Sequence, residues 1–325
     1  MRALVCKKYG PPESHAVVEW DDPVPGDDDI AFDVHAAGLN FADVLIMAGQ
    51  YQVRPPLPFI AGNEAAGVVT SVGRNVKRFK PGDRVIGALR GGAFADKSIV
   101  NESSAIAAPA KLDFGQAATF SVAYGTSYHA MKQSARLRAG ETVLVLGASG
   151  GVGYAAVDLA KAMGARVIAA ASSDEKLDFA RRAGADESIN YSDGELNKAV
   201  KALTDGRGAD VVYDPVGGEL ALQALKATAW HGRFVVVGFA SGTIPELPAN
   251  LALLKEASIV GTWYGTWAER HPAEMLQNCE DLASMIEDGR INPPRPETFG
   301  FADFADAFRV ITERRVLGKV ALQMV

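Results

Sequence analysis

The order of apolar and polar positions divides the chain into stretches of different character. Before residue 120, short runs of alternating apolar and polar residues are separated by turn signals, a pattern typical of antiparallel strands. The runs predict strands at 30–36, 66–72, 85–88 and 95–100, with a turn at 79–83. We expect this part of the chain to form an antiparallel, partly closed β-barrel.

From residue 124 to residue 262, apolar strand patterns alternate with helical ones. The candidate strands lie at 142–146, 167–170, 187–190, 211–214, 233–238 and 258–262. Helical patterns lie beside them, for example at 180–183 and 220–228. Alternation of strand and helix predicts a parallel, doubly wound α/β sheet.

The last part of the chain is too short to build a core of its own. Its pattern predicts a helix at 274–288, a proline-rich turn at 293–296, a helix at 301–315 and a final strand at 319–323. We therefore expect it to return to the first domain. The predicted organisation is a catalytic domain of residues 1–123 and 264–325, a nucleotide-binding domain of residues 124–263 inserted into it, and a cleft between the two.

The stretch 141–164 contains a buried strand, a glycine-rich turn and a helix in immediate succession. Gly150 and Gly153 match the second and third glycines of the dinucleotide fingerprint, and Ala148 stands in the place of the first. Gly150 lets the backbone approach a pyrophosphate, whose charge is favoured at a helix N-terminus, and Gly153 lets the helix pack on the strand. The sequence thus predicts a dinucleotide site. The alternative is an ordinary glycine-rich turn.

The end of the next predicted strand indicates which dinucleotide binds. NAD-binding proteins place an acid there, about 20 residues on, which accepts the ribose 2′-OH. This chain has Ala171, followed by Ser172, Ser173 and Lys176, whose side chains suit a 2′-phosphate. The pattern therefore favours NADPH. In the structural alternative, Ser172 and Glu175 form a capping box that starts a helix, and the acidic residues there repel phosphate.

Composition narrows the class of protein further. The chain has 325 residues, 48% of them hydrophobic, which suffices for two ordinary cores. A net charge of −6 argues against nucleic acid or an anionic membrane as the main partner. No membrane-spanning stretch or secretory signal is recognisable. Cys6 and Cys279 are the only cysteines, so we expect no disulfide framework and a cytoplasmic location.

Six ordered motifs along the chain resemble those of one protein family. They are AAGLNFAD at 36–43, GNEAAGVV at 62–69, VG at 72–73 followed by FKPGDRV at 79–85, the glycine turn, GAD at 184–186 with INY at 189–191, and GKV at 318–320. By these motifs the sequence resembles the zinc-independent quinone oxidoreductases of the medium-chain dehydrogenase/reductase superfamily. The resemblance implies a GroES-like β-barrel domain for catalysis and a Rossmann domain for the cofactor.

Two positions in those motifs bear on metal binding. Zinc-dependent relatives have a cysteine and a histidine where this chain has Asn40 and Asn63, and neither asparagine binds zinc well. The five histidines show no metal-ligand spacing, so we expect no metal. Without a histidine beside it, Glu64 is interpreted as a structural acceptor. A quinone or conjugated enone suits such a site, because the charge from an added hydride spreads onto a conjugated oxygen.

The resemblance also implies which residues carry the chemistry. The candidate catalytic residues are Asn40, Asp43, Tyr51 and Thr126. The candidate NADPH-binding residues are Ser149, Gly150, Gly151, Val152, Gly153, Ser172, Ser173, Lys176, Tyr191, Gly217, Gly238, Phe239, Trp263 and Lys319. A tyrosine that is common in the family is replaced by Leu45, which implies a more apolar pocket.

Two alternatives stay open for these residues. Asn40 and Asp43 can instead cap the helix that starts near Phe41. The aromatic cluster of Trp263, Tyr264 and Trp267 can pack in the core or in a dimer interface instead of lining the acceptor site.

These features predict an NADPH-dependent reductase of quinones that works without metal. A reductase of α,β-unsaturated ketones or enoyl thioesters, and an NADPH-binding protein with little turnover, remain alternatives. The apolar strand at 258–263 is expected at an edge of the cofactor sheet, where unpaired backbone groups can bind a partner strand. We therefore expect a homodimer. The expected substrate is a small molecule, a quinone or an enone.

Overall fold

The structure is a computed structural model and describes residues 1–324. The chain forms two compact units, one of Met1–Val122 with Pro293–Val325 and the other of Ala123–Asn292. None of the helices in the described residues is long and apolar enough to span a bilayer.

The strands of residues 1–324 are numbered in chain order. They are β1 (Arg2–Cys6), β2 (Ala16–Glu19), β3 (Asp29–Leu39), β4 (Phe59–Ile60), β5 (Glu64–Val72), β6 (Arg84–Ala88), β7 (Lys97–Asn101), β8 (Ala105–Ala107), β9 (Thr142–Leu146), β10 (Arg166–Ala171), β11 (Glu187–Asn190), β12 (Ala209–Asp214), β13 (Thr228–Val236), β14 (Ser258–Gly261), β15 (Glu297–Gly300) and β16 (Val320–Gln323).

The α-helices are numbered in the same way. They are α1 (Phe41–Met47), α2 (Phe114–Ala118), α3 (Ser121–His129), α4 (Gly151–Ala162), α5 (Asp174–Arg181), α6 (Leu196–Leu203), α7 (Gly218–Ala227), α8 (Ala249–Leu253), α9 (Tyr264–Arg270), α10 (Pro272–Glu287) and α11 (Phe304–Thr312).

The first unit is built around the long strand β3. Its side chains alternate between buried and more exposed positions, and Ile30, Phe32 and Val34 enter the core. Strand β3 pairs with β5 along most of its length, while β7 and β16 pair with its first and last parts. Strand β16 returns from the end of the chain to lie antiparallel to β3. This pairing places Lys319, just before β16, beside the end of β3.

The second unit is a parallel sheet in the order β11-β10-β9-β12-β13-β14. All its strand pairs are parallel, and every residue of the central strand β9 is buried. Apolar strands that are covered on both faces are typical of doubly wound sheets. The predicted fold class, a GroES-like domain with a Rossmann domain, is confirmed.

The compact units differ from the predicted domains in one segment. Residues 264–292, assigned from the sequence to the catalytic domain, pack in the unit that holds the parallel sheet. The reason is a set of polar contacts to α3 and to the π-helical turn after it. Tyr128 and Lys132 both donate to Asp281 on α10, and Gln133 donates to Asn278. These contacts anchor α10 in the second unit.

Candidate functional site

The turn between β9 and α4 depends on two glycines. Gly147 has a φ of +56°, which favours glycine, and it ends β9 in a tight turn. A Cβ atom on Gly153 would lie 2.1 Å from the Gly147 carbonyl oxygen, so only glycine lets α4 pack this closely on the turn. The tight-turn glycine is therefore Gly147. Sequence matching had placed Ala148 at that position of the fingerprint.

Gly150 meets a different constraint at the N-terminus of α4. It is the N-cap residue, and a Cβ atom on it would lie 3.4 Å from its nearest neighbour, an ordinary contact distance. The packing of the protein therefore does not require glycine at this position. The missing side chain leaves the helix N-terminus accessible to a ligand, which is the role the fingerprint gives it. Ser149, Gly151 and Val152 flank it in the same turn.

The ends of β12 and β13 bring three other predicted residues together. Gly217 is the N-cap of α7 with a φ of +71°, and its N–H donates to Asp214 Oδ1 at 2.9 Å. A Cβ atom on Gly217 would lie 3.0 Å from the Phe239 ring. The N–H of Gly238 donates to the Asp214 carbonyl oxygen at 3.3 Å. These residues lie where ligands of parallel sheets bind, beyond the carboxyl ends of the strands.

The residues after β10 are also neighbours. Lys176 Nζ donates to Ser172 Oγ at 3.2 Å, and the N–H of Tyr191 donates to the Ala171 carbonyl oxygen at 3.1 Å. Ser173, rather than Ser172, is the N-cap of α5, and its hydroxyl accepts the N–H of Lys176 at 3.4 Å. The predicted capping box is therefore wrong in its residues, because the third helical position holds a lysine instead of a glutamate.

Helix α3 packs on the first turn of α4. Ser127 Oγ donates to the Val152 carbonyl oxygen at 2.9 Å, and Thr126 is its half-buried neighbour. Of the aromatic residues after β14, Tyr264 and Trp267 lie near His129 of α3. The Trp267 ring stacks on His129 with centroids 4.1 Å apart, whereas Trp263 is 52% exposed. Trp267 thus packs against the protein, as in the alternative stated above. The exposed Trp263 can contact a ligand or a partner.

A buried polar network in the first unit joins residues from four parts of the chain. Glu64 is fully buried, and its Oε1 accepts hydrogen bonds from Lys319 Nζ at 2.7 Å and Asn40 Nδ2 at 2.9 Å. Its Oε2 accepts from Ser121 Oγ at 3.0 Å and from the N–H of Val122 at 2.9 Å. Every one of these partners donates, so Glu64 acts as a structural acceptor.

Lys319 is placed differently from its predicted role in cofactor binding. Its ammonium group donates to the Leu39 carbonyl oxygen at 2.8 Å, to Asn40 Oδ1 at 2.5 Å and to Glu64 Oε1 at 2.7 Å. The residue is 9% exposed, and an ammonium group has three protons to donate. Protein oxygens accept all three, so Lys319 is a member of this network, and its role in cofactor binding stays a prediction.

Asp43 is the second buried carboxylate near Asn40. Its Oδ2 accepts the backbone N–H of Asn40 at 2.7 Å, and its Oδ1 accepts Asn63 Nδ2 at 2.5 Å. Burial raises the pKa of Asp43 to about 7, although the hydrogen bond from Asn40 and the charge of Lys319 lower it. Asn40 and Asp43 thus form a capping box at the start of α1, as in the capping alternative, while the Asn40 side chain is also held by Glu64 and Lys319. Tyr51 lies beyond α1, with its N–H on the Leu45 carbonyl oxygen at 3.2 Å.

Comparison with known proteins decides the family. Residues 26–110 match the family model described as alcohol dehydrogenase GroES-like domain, and residues 151–281 match the one described as zinc-binding dehydrogenase. A quinone oxidoreductase-like protein 2 from Bos taurus is 40% identical, over 99% of this chain and 92% of its own length. A quinone oxidoreductase from Pseudomonas aeruginosa is 35% identical, over 97% of each chain.

The chain belongs to the quinone oxidoreductase family of the medium-chain dehydrogenase/reductase superfamily. It is an oxidoreductase of that family. Among solved structures, Escherichia coli quinone oxidoreductase complexed with NADPH matches with a TM-score of 0.92 and 29% identity, over the full length of both chains. The family recognised in the sequence motifs is thus confirmed.

The absence of a bound metal ion remains a prediction for this member of the quinone oxidoreductase family. One matched family model is described as zinc-binding, yet the positions read as ligand sites in the sequence hold Asn40 and Asn63. In the described part of the chain, no three His, Cys, Asp or Glu side chains are grouped so that they could hold a metal ion.

Proposed function

We propose that this oxidoreductase transfers a hydride from NADPH to a quinone without a metal ion. The observation that carries the proposal is the buried network around Asn40. It places a neutral amide, oriented by Lys319 and Glu64, where zinc-dependent relatives place a ligand. A neutral amide can donate a hydrogen bond to a carbonyl oxygen, but it does not polarise that oxygen as a Lewis acid does.

Features of the second unit support NADPH as the cofactor. Gly150 leaves the N-terminus of α4 accessible to a pyrophosphate, and Gly153 and Gly147 hold the turn that aims it. Lys176 and Ser172 are in contact after β10, where they can share the 2′-phosphate. The NADPH complex of the E. coli relative supports the same choice. When bound, NADPH supplies the hydride.

The remaining predicted residues receive roles in orienting the cofactor. We assign the backbone around Ser149, Gly151 and Val152 to the pyrophosphate, because N–H groups at a helix N-terminus bind anions. Gly217, Gly238 and Phe239 lie beyond the ends of β12 and β13, where they can border the nicotinamide, with Thr126 on α3. The proposed cofactor contacts also include three further residues. They are Ser173 and Tyr191 at the adenosine and Trp263 at the exposed end of the site.

The acceptor must be activated by its own conjugation. A quinone takes up the hydride, its conjugated oxygen takes the negative charge, and a proton from solvent completes the hydroquinone. Asn40 can donate to that oxygen, and Asp43 fixes the backbone that carries Asn40. We propose Asn40 as a catalytic residue on this basis, with Asp43 as a positioning residue and Tyr51 in contact with the acceptor.

The test is the oxidation of NADPH, followed at 340 nm, by the purified protein with three classes of acceptor: quinones, α,β-unsaturated ketones and enoyl thioesters. We expect the largest kcat/KM with quinones and hydroquinone formation in equal amount to NADPH consumed. A larger kcat/KM with an enone or a thioester would show that this class, and not a quinone, is the substrate. Binding of NADPH with no turnover of any acceptor would contradict the proposal and favour a binding protein.

A further inference from the structure

The Asn40 side-chain amide makes hydrogen bonds in the buried network through both its oxygen and its nitrogen. Its Oδ1 accepts from Lys319, which can only donate, and its Nδ2 donates to the carboxylate of Glu64, which accepts every other contact it makes. The two partners therefore leave a single orientation for the amide, because a flipped amide would place its N–H₂ group against the lysine ammonium.

One N–H of that amide remains after these contacts are made. Nδ2 carries two protons, and within residues 1–324 Glu64 is the acceptor of the only hydrogen bond from it. Asn40 is partly exposed, whereas Glu64 and Lys319 are buried. Asn40 is thus the member of the trio that can reach a substrate with a hydrogen-bond donor.

Lys319 and Glu64 cannot themselves donate a hydrogen bond to a substrate. The three ammonium protons of Lys319 are all donated to protein oxygens. Both carboxylate oxygens of Glu64 each accept two hydrogen bonds. Each residue nevertheless acts on Asn40, because a cation on the amide oxygen and an anion on one N–H polarise the amide and fix its plane.

We propose that Lys319 and Glu64 are positioning residues that hold the Asn40 amide with its second N–H free for the acceptor oxygen. This inference rests on the proposed function. As the hydride reaches the acceptor, negative charge grows on that oxygen, and the N–H of Asn40 donates to it. Solvent then protonates the oxygen, NADPH is oxidised, and the acceptor is reduced by two electrons. A fixed donor stabilises this charge without having to reorient.

The main test is a double-mutant cycle on kcat with NADPH and a quinone. We expect Asn40→Ala to lower kcat about 100-fold, the scale of losing one fixed donor at an oxyanion. Lys319→Met should lower kcat about 10-fold or more, since a misplaced group near the reacting atoms can cost about 100-fold. In the Asn40→Ala background, Lys319→Met should change kcat by less than about twofold, because both act through one amide.

The chain offers a matched control for the loss of a lysine. Lys132 Nζ donates to Asn278 Oδ1 at 3.0 Å and to Asp281 Oδ2 at 2.7 Å, so this lysine of the second unit also contacts an asparagine and a carboxylate. Lys132→Met should leave kcat within about twofold of wild type in both backgrounds. Independent effects of Asn40→Ala and Lys319→Met, which multiply in the double variant, would overturn the proposal and leave the network with a merely structural role.

A second measurement keeps the inference testable if Lys319→Met does not fold. Selective ¹⁵N labelling of asparagine in the cofactor-free wild type, with Asn40→Ala for assignment, should give the Asn40 side-chain amide an order parameter near the value of rigid backbone, about 0.85. An order parameter below about 0.6 would overturn the fixed orientation. This readout needs no turnover, so it separates failure of the positioning role from failure of the proposed function, which would show as an inactive wild type.

Discussion

Asparagines at positions 40 and 63 give the first unit a site built of amides. The Asn63 amide donates to Asp43, and the Asn40 amide joins Lys319 to Glu64. The sequence identified Asn40, Asp43 and Glu64 as neighbours of a site, because they stand in recognisable motifs. It did not show that Lys319 joins them, because a linear pattern does not reveal that β16 pairs with β3 and brings the lysine to Leu39.

The proposed 2′-phosphate site after β10 is tested by reversing one charge. Lys176→Glu should weaken NADPH binding at least about 10-fold, because one charge-assisted hydrogen bond contributes at least about 1.5 kcal/mol. NADH, which lacks the phosphate, should bind nearly as before. Titration of both cofactors by the quenching of protein fluorescence measures the two dissociation constants.

A matched control for that variant is Lys198→Glu, which reverses an exposed charge on α6 in the same unit. It should change the affinity for neither cofactor by more than about twofold, since Lys198 is exposed and pairs with Glu195 on the surface. An equal loss of affinity for NADPH and NADH in Lys176→Glu would remove Lys176 from the phosphate site.

Among the elements, the strands and helices of the parallel sheet were the most predictable. The predicted strands 142–146 and 187–190 agree with β9 and β11. Strand β9 is an uninterrupted apolar run, as is typical of buried parallel strands. Two details could not be predicted. The tight-turn role of Gly147 requires its φ, and the predicted helix 301–315 begins only at Phe304, after a 3₁₀ turn.

Asp158 is a residue of α4 that sequence reasoning missed. Its Oδ2 accepts the Tyr124 hydroxyl at 2.8 Å and the N–H of Asn292 at 2.9 Å, so it ties two residues next to the points where the chain enters and leaves the second unit. Burial raises the pKa of Asp158 to about 6, although these two hydrogen bonds lower it. In the sequence it is a single acid among apolar helix positions.

This shift predicts how the stability of the element depends on pH. The folded-state pKa of about 6 lies above the unfolded value near 3.9, so the folded protein binds the extra proton between those values. The contribution of Asp158 to the free energy of unfolding is therefore largest below about pH 4 and is lost as pH rises to about 6. Two pKa units correspond to about 3 kcal/mol at most.

Asp158→Asn keeps an oxygen that can accept both hydrogen bonds and removes the charge. We expect its Tm to exceed that of wild type by several degrees at pH 8, with the difference disappearing near pH 3.5. Thermal unfolding of both proteins at the two pH values measures this. The exposed Asp178→Asn on α5 is the control and should show no pH-dependent difference. A destabilised Asp158→Asn at pH 8 would show that the carboxylate charge is needed.

At the scale of the whole molecule, the two-part organisation was predictable from the change of pattern near residue 120. The position of residues 264–292 was not. Their helical pattern shows that they have an apolar face, but the partner of that face is set by contacts such as those of Asp281 with Tyr128 and Lys132. Polar contacts over such sequence separations leave no local signal.

The expected homodimer also belongs to this scale. Strand β14 lies at an end of the parallel sheet, and its Ile259 is 41% exposed beside the half-buried Val260. Sheet edges with apolar side chains pair readily with another strand. Val260→Asp should shift the protein toward monomer, because it buries a charge if the edge is paired. Light scattering after size exclusion, with the exposed Val24→Asp as control, measures the mass; a monomeric wild type at micromolar concentration would contradict the prediction.

The proposed reaction is hydride transfer from NADPH to a quinone, in which side chains of the protein stabilise the acceptor and no metal ion takes part. Its most direct test is the turnover of NADPH and a quinone by protein that has been treated with a strong chelator and shown by elemental analysis to contain less than stoichiometric metal. We expect the same kcat before and after treatment, because the proposed contact of Asn40 with the acceptor is a hydrogen bond from its N–H. Activity that is lost on chelation and restored by zinc would contradict it.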